Sequence, residues 1–241
     1  YFDRLQAAIN TNEELKAQLP DIKALMRRVH TKLDEAPMML AVPQQSGEPV
    51  QFLLERRDLQ QLTSGMISDP QSAIMAMQMY LLLDAGDTGT VSQIASRFVD
   101  PGAPISYRPM SFAMDLASGT GKARMAQVAK DAETSLLKDY LNFPMPHLDG
   151  YVDGLDLGDN FREAPVSDIP MLVLSGTLDG RTYPESQAEA VAGFSDTTIV
   201  TIENAGHNLF MVSPDVTETI QAFMRGQPVT KTRITVELPT P

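Results

Sequence analysis

The chain has 241 residues, 43% of them hydrophobic, with 31 acidic against 19 basic side chains, a net charge of −12 and no cysteine. Such a composition excludes disorder and supplies one large core or two smaller ones, while the lack of cysteine excludes disulfides, thiolate metal sites and a cysteine nucleophile and leaves the compartment open. The acidic balance argues against a nucleic-acid or anionic-membrane surface and is compatible with cationic ligands such as amines.

In chain order, "YFDRLQAAIN" reads as an amphipathic helix already under way, with no charged-then-apolar leader, so the sequence is expected to begin in the middle of a larger unit. Behind the start signal Pro20-Asp21, the residues Ile22, Leu25, Met26, Val29 and Leu33 recur at three and four, which predicts a helix with one apolar stripe that ends before Pro37. "MMLAVPQQSGEPVQFLL" predicts a hairpin around a glycine-containing turn, and "ERRDLQQLTSGMI" returns to helix. The most apolar run, "SAIMAMQMYLLLDAG", is about a dozen residues long where a membrane-spanning helix needs roughly 20. It predicts a buried helix near 70–84, followed by helices near 89–99, 109–117 and 122–141, with no internal repeat. Met75, Met77, Met79, Met110, Met114 and Met125 are expected to fill gaps in this helical core, the alternative being an adaptable apolar wall for varied substrates.

From about Ser167 strand and helix alternate. "IPMLVLSG" is a continuous apolar run, as a strand covered on both faces would be, and "DTTIVTIE" is a second, β-branched one. Between them Thr182 and Glu185 predict a T-x-x-E capping box, Ala188, Val191 and Ala192 a buried stripe, and Gly193 a stop. Afterwards Ser213 caps and Pro214 opens a last helix with Val216, Ile220, Phe223 and Met224 inward and Gly226 at its end. This alternation predicts a parallel crossover whose two strands need further neighbours.

Each strand ends in a polar turn. "LSGTLDGRTYPES" carries Asp179 and "ENAGHNLF" carries His207, and parallel strands end on the same edge of a sheet, so the two side chains are expected close together. A carboxylate on one imidazole nitrogen leaves the other free to act as base toward a hydroxyl nucleophile, and the order acid before base is that of hydrolases of the G-x-S-x-G type. Read by themselves, Asp-Gly is also a common turn pair and a lone histidine is more often structural.

Three other features read blandly. "SGTGK" at 118–122 lacks the first glycine and the final hydroxyl of a phosphate loop and is assigned to helix capping. Asp149, Asp153, Asp156 and Asp159 do not follow the alternate spacing of a calcium loop and are assigned to a solvated connection. His30 and His147 are assigned structural roles, with no metal spacing linking them to His207, so neither metal nor cofactor is expected.

"SDIPMLVLSGTLDGRTYPES" followed by "IENAGHN" resembles the last core segment of the α/β-hydrolase fold, in the branch of proline iminopeptidases and tripeptidyl aminopeptidases. "FDRLQAAINTNEELKAQLPDIKALMRRVHTKLDEAP", "AMDLASGTGKARM" and "LGDNFREAPVSDIP" resemble the same family's cap, so nearly the whole chain is covered. The resemblance implies an α/β fold fragment: a mainly helical cap over 1–165, then over 166–241 the last two parallel strands and helices of the core sheet. It implies that Asp179 is the triad acid and His207 the triad base. The family's cap often carries cysteine pairs, and this chain has none.

One departure matters. Family enzymes carry an H-G-G-P-G loop and a G-x-S-x-G elbow, and neither pattern occurs here; Ser195 in "GFSDT" lacks the closing glycine and sits between helix and strand, so no nucleophile is assigned within the chain. The expected partner is therefore a nucleophile-bearing half, as a further segment or a separate chain, and the expected substrate a peptide or small acyl compound. Competing expectations are an esterase of the same fold and a non-catalytic helical interaction module.

Overall fold

A computed structural model describes residues 1–44, 47–97 and 108–239. The chain falls into two compact units, the first made of Tyr1–Ile22, Met66–Met75 and Ala164–Pro241, the second of Lys23–Gly65 and Ala76–Glu163.

The first unit holds the sheet. Strand β3 (Met171–Gly176) pairs in parallel with β4 (Thr197–Glu203), with Leu174 opposite Val200 and Gly176 opposite Ile202. A third strand, β5 (Arg233–Thr235), pairs in parallel with the other edge of β4, giving the order β3-β4-β5. The crossover from β3 to β4 contains α9 (Pro184–Ala190), and α10 (Pro214–Met224) follows β4. Val200, Ile202, Ala205, Leu209, Val216 and Ile234 form the core under this sheet, with Leu172, Leu174 and Ile220 packed against it. Each fully buried aliphatic side chain of this kind contributes about 1.5–3 kcal/mol. Helices α1 (Phe2–Ile9) and α2 (Glu13–Gln18) belong to the same unit, and Asn12 caps α2 through two backbone N–H groups.

The second unit is mainly helical. Its elements are α3 (Ile22–Glu35), the hairpin of β1 (Met38–Val42) and β2 (Val50–Leu54), α4 (Arg56–Met66), most of α5 (Pro70–Ala85), α6 (Thr88–Ala95), α7 (Pro109–Ser118) and α8 (Lys122–Ala132). Leu25, Met26, Val29 and Leu33 are all buried, as their spacing requires, and so are Met77, Met79, Tyr80 and Leu83 on α5. Among the described residues no helix is long and apolar enough to cross a membrane.

The fold class is α/β, helices followed by parallel strands, and several local expectations are corrected. β3 is only half-buried from Met171 to Leu174, not covered on both faces, and β5 is an additional strand. The capping box does not form: α9 starts at Pro184 behind Tyr183, because Thr182 donates its N–H to Asp179 and Glu185 pairs with Arg4. The helix also stops at Ala190, short of Gly193, and Ala188 and Ala192 are exposed, so its stripe is not buried. In α10, Ser213 caps and Pro214 opens as expected, and Gly226 follows its end with positive φ, but Met224 is 76% exposed. α8, expected to run to 141, ends at Ala132, and turns follow it. Met110 and Met114 point outward at 74% and 62% exposure and fill no core gap. The helix expected to reach 99 ends at Ala95 with Ser96 as its C-cap, and positions 98–99 lie outside the described residues.

Candidate active site

The ends of β3 and β4 are held at close range. Beyond the ladder, Thr177 N–H donates to the Ile202 carbonyl at 3.1 Å and Leu178 N–H to the Ala205 carbonyl at 2.9 Å. A Cβ on Gly176 would lie 2.4 Å from the Gly206 carbonyl oxygen and 2.5 Å from that of Ala205, so only glycine allows the two loops to meet there. Asn204 turns the chain out of β4 with φ 63, a conformation that asparagine tolerates, and its N–H donates to Thr177 Oγ1 at 3.0 Å.

Asp179 sits in the turn that follows, 2% exposed. Its Oδ1 accepts from the N–H groups of Arg181 at 2.7 Å and Thr182 at 2.9 Å, while Oδ2 lies 3.0 Å from His207 Nδ1. An ionised carboxylate only accepts, so this contact puts the imidazole proton on Nδ1 and leaves Nε2 as the free lone pair. The histidine side chain is 47% exposed and the aspartate's 3%: the carboxylate is sealed and the imidazole is open. Thr182 Oγ1 lies 3.3 Å from the same Nδ1, a neighbour that the sequence does not announce. The turn and the dyad are thus one device, in which the aspartate makes an Asx turn with one oxygen and meets the histidine with the other.

Tyr183 and Tyr1 belong to the surroundings of Asp179. Burial raises both phenols, with Asp69 and Asp179 adding to the effect on Tyr1, and the Arg4 guanidinium opposing it from 5.4 Å above the Tyr183 ring.

Ser195 is at the wrong end of the sheet. It precedes β4, whose seven residues separate it from the loop of His207 by about 23 Å at ~3.3 Å per residue, and its N–H donates to the Ser167 carbonyl.

The remaining candidates belong to the second unit. "SGTGK" forms the turn between α7 and α8, with Gly119 at φ 56 and Gly121 as an N-cap that makes no side-chain hydrogen bond, so the expected cap is a backbone turn. It borders an open depression of about 640 Å³ that Arg162 also lines. Arg162 is committed to Asp156 at 2.5 Å and Asp159 at 2.9 Å, and it holds the Asp156 carboxyl below the usual carboxylate range. Among the described residues no group of three or more acidic, histidine or cysteine side chains is arranged to hold a metal. His147 meets Asp139 at 3.1 Å, but that carboxylate is 37% exposed and its histidine stacks on Tyr140. His30 is 3% exposed and bonds Tyr80 Oη at 2.9 Å.

An α/β-hydrolase family model described as "TAP-like protein" matches residues 158–232, less than half of the chain but inclusive of β3, β4, Asp179 and His207. No curated protein and no solved structure matches the sequence.

Proposed function

We propose that Asp179 and His207 are the acid and base of a serine hydrolase of the aminopeptidase kind, and that residues outside these 241 supply its nucleophile. The observation that carries this reading is the asymmetry of the dyad: a buried carboxylate on Nδ1 and a half-exposed ring whose Nε2 meets no hydrogen-bond partner among the described residues. That arrangement suits a base in acyl transfer. Nε2 takes the proton of a serine hydroxyl as its oxygen adds to the acyl carbon, and the buried carboxylate stabilises the imidazolium that forms. Collapse of the tetrahedral adduct expels the amine, which receives that proton from Nε2, and water repeats the sequence to release the acid.

Similarity to TAP-like proteins over the segment that holds the dyad supports a peptide substrate, and the net charge of −12 favours an α-ammonium group at the site. The test is turnover by the protein joined to its G-x-S-x-G-bearing segment. Aminoacyl amides with a free N-terminus are expected to be cleaved and N-acetylated ones spared. Equal cleavage of both, or cleavage of simple esters alone, would replace the aminopeptidase by another acyl hydrolase. The 241 residues alone are expected to resist a fluorophosphonate probe, and labelling of a serine within them would overturn the assignment of the nucleophile to another segment.

A further inference from the structure

The link 67–69 between α4 and α5 takes no part in the chemistry above, yet its main chain touches both loops that carry the dyad. The Ile67 carbonyl accepts from the N–H of Gly180, next to Asp179, at 3.1 Å, and the Ser68 carbonyl accepts from the N–H of His207 itself at 2.8 Å. Both approaches are as close as backbone allows. A Cβ on Gly180 would lie 2.3 Å from the Ile67 oxygen, and one on Gly206 would lie 2.4 Å from the Ser68 oxygen. The link has its own anchors: Ile67 is fully buried, and Asp69 Oδ1 accepts from the N–H groups of Gln71 at 3.0 Å and Ser72 at 3.1 Å, capping α5.

We infer that residues 67–69 are a positioning strap, in which two consecutive carbonyls set the height of the acid loop against the base loop and thereby the His207–Asp179 contact. Consecutive Cα atoms are about 3.8 Å apart across a planar peptide, so the offset between the two bonded N–H groups is restricted to what one residue's dihedrals allow. The β3-β4 ladder stops before either side chain; past it Thr177 and Leu178 still bond the other loop, and the strap holds Gly180 and His207 beyond them. Placement of this kind matters because a misfit of about 1 Å at a reacting group can cost roughly 10²-fold in rate. The consequence for turnover rests on the acid-base reading of the dyad; the geometry does not.

The experiment uses the ¹⁵N-labelled 241-residue chain and needs no turnover, so its failure is separable from failure of the hydrolase reading. In the wild type the Gly180 and His207 amides should exchange slowly and at matching rates, with the His207 Nδ1 proton observable. Asp69→Ala removes the α5 cap and should speed both exchanges together by about fivefold while broadening the Nδ1 signal. Asp69→Ser, which keeps a capping oxygen, should restore all three. An Nδ1 signal untouched in Asp69→Ala, a response at only one amide, or no rescue by serine would overturn the strap. Should the alanine variant not fold, the wild type still decides: amides that open at different rates overturn it.

Discussion

His207 in the first unit and His30 in the second are both hydrogen-bonded through one ring nitrogen, and they are opposites in every other respect. His30 is sealed: Nε2 meets Tyr80 Oη at 2.9 Å, that oxygen lies 3.3 Å from Thr63 Oγ1, and the threonine donates to the Leu59 carbonyl at 2.6 Å. Burial, with Arg56 acting the same way and Asp34 against it, lowers its pKa to about 4, so the ring stays neutral and serves as packing. His207 has its partner buried and its own ring half open. What separates the two histidines is which member of the pair is exposed, not whether a pair exists.

The largest expected effect breaks the first half of that comparison. Asp179→Asn keeps the shape and the turn but not the charge, and in the assembled hydrolase it should lower kcat on the order of 10⁴-fold with little change in the unfolding midpoint. Near-normal kcat would reduce Asp179 to a turn residue. Next comes Gly206→Ala, whose methyl must displace the Ser68 carbonyl and should destabilise the first unit by about 2–3 kcal/mol in a denaturant titration.

The third prediction concerns His30 and has a definite sign. Its folded pKa lies below the ordinary value of 6.5, so the unfolded chain binds the proton first. The stability it contributes is complete above pH 6.5 and is lost as pH falls toward about 4. The loss should be about 2–3 kcal/mol, set chiefly by burial of the ring, since Arg56 and Asp34 act in opposite senses. Unfolding of the wild type and His30→Gln across that range should show a slope in the first and a flatter profile in the second. The smallest expected effect is that of Tyr80→Phe, which strips one hydroxyl shared by His30 and Thr63 and should cost about 1 kcal/mol by the same titration.

Much of this was legible in periodicity and punctuation. The stripe from Ile22 to Leu33, the hairpin at 38–54 and the Ser213-Pro214 start follow from local rules and appear where those rules put them. The closeness of Asp179 and His207 followed from two parallel strands sharing an edge. The capping box failed because each of its members has a competitor for the same atoms. Thr182 and Glu185 have the spacing of a capping box, but Asp179 takes the threonine N–H and Arg4 the glutamate. "RITVE" alternates as a strand does, with Ile234 and Val236 inward, yet three paired residues amid Lys, Thr and Pro give too short a signal. The contacts of Ile67 and Ser68 are made by carbonyls, which every residue has, so no residue type could announce them; the glycines at 180 and 206 were the trace they left.

The two sets of contacts around the dyad also differ in how far apart along the chain their partners lie. Asp179 and His207 are 28 positions apart, a short loop to close once β3 and β4 pair. The bonds from Ile67 to Gly180 and from Ser68 to His207 each span more than a hundred positions. Chain entropy opposes the longer closures more strongly, and their reward arrives only after both partners have some structure. During refolding the two catalytic-looking loops should therefore meet first and be clamped afterwards. Pulse-labelled amides in the β3-β4 ladder would acquire protection ahead of those of Gly180 and His207, and the interval between them is the lifetime of a species that has its carboxylate and imidazole side by side without yet holding them still.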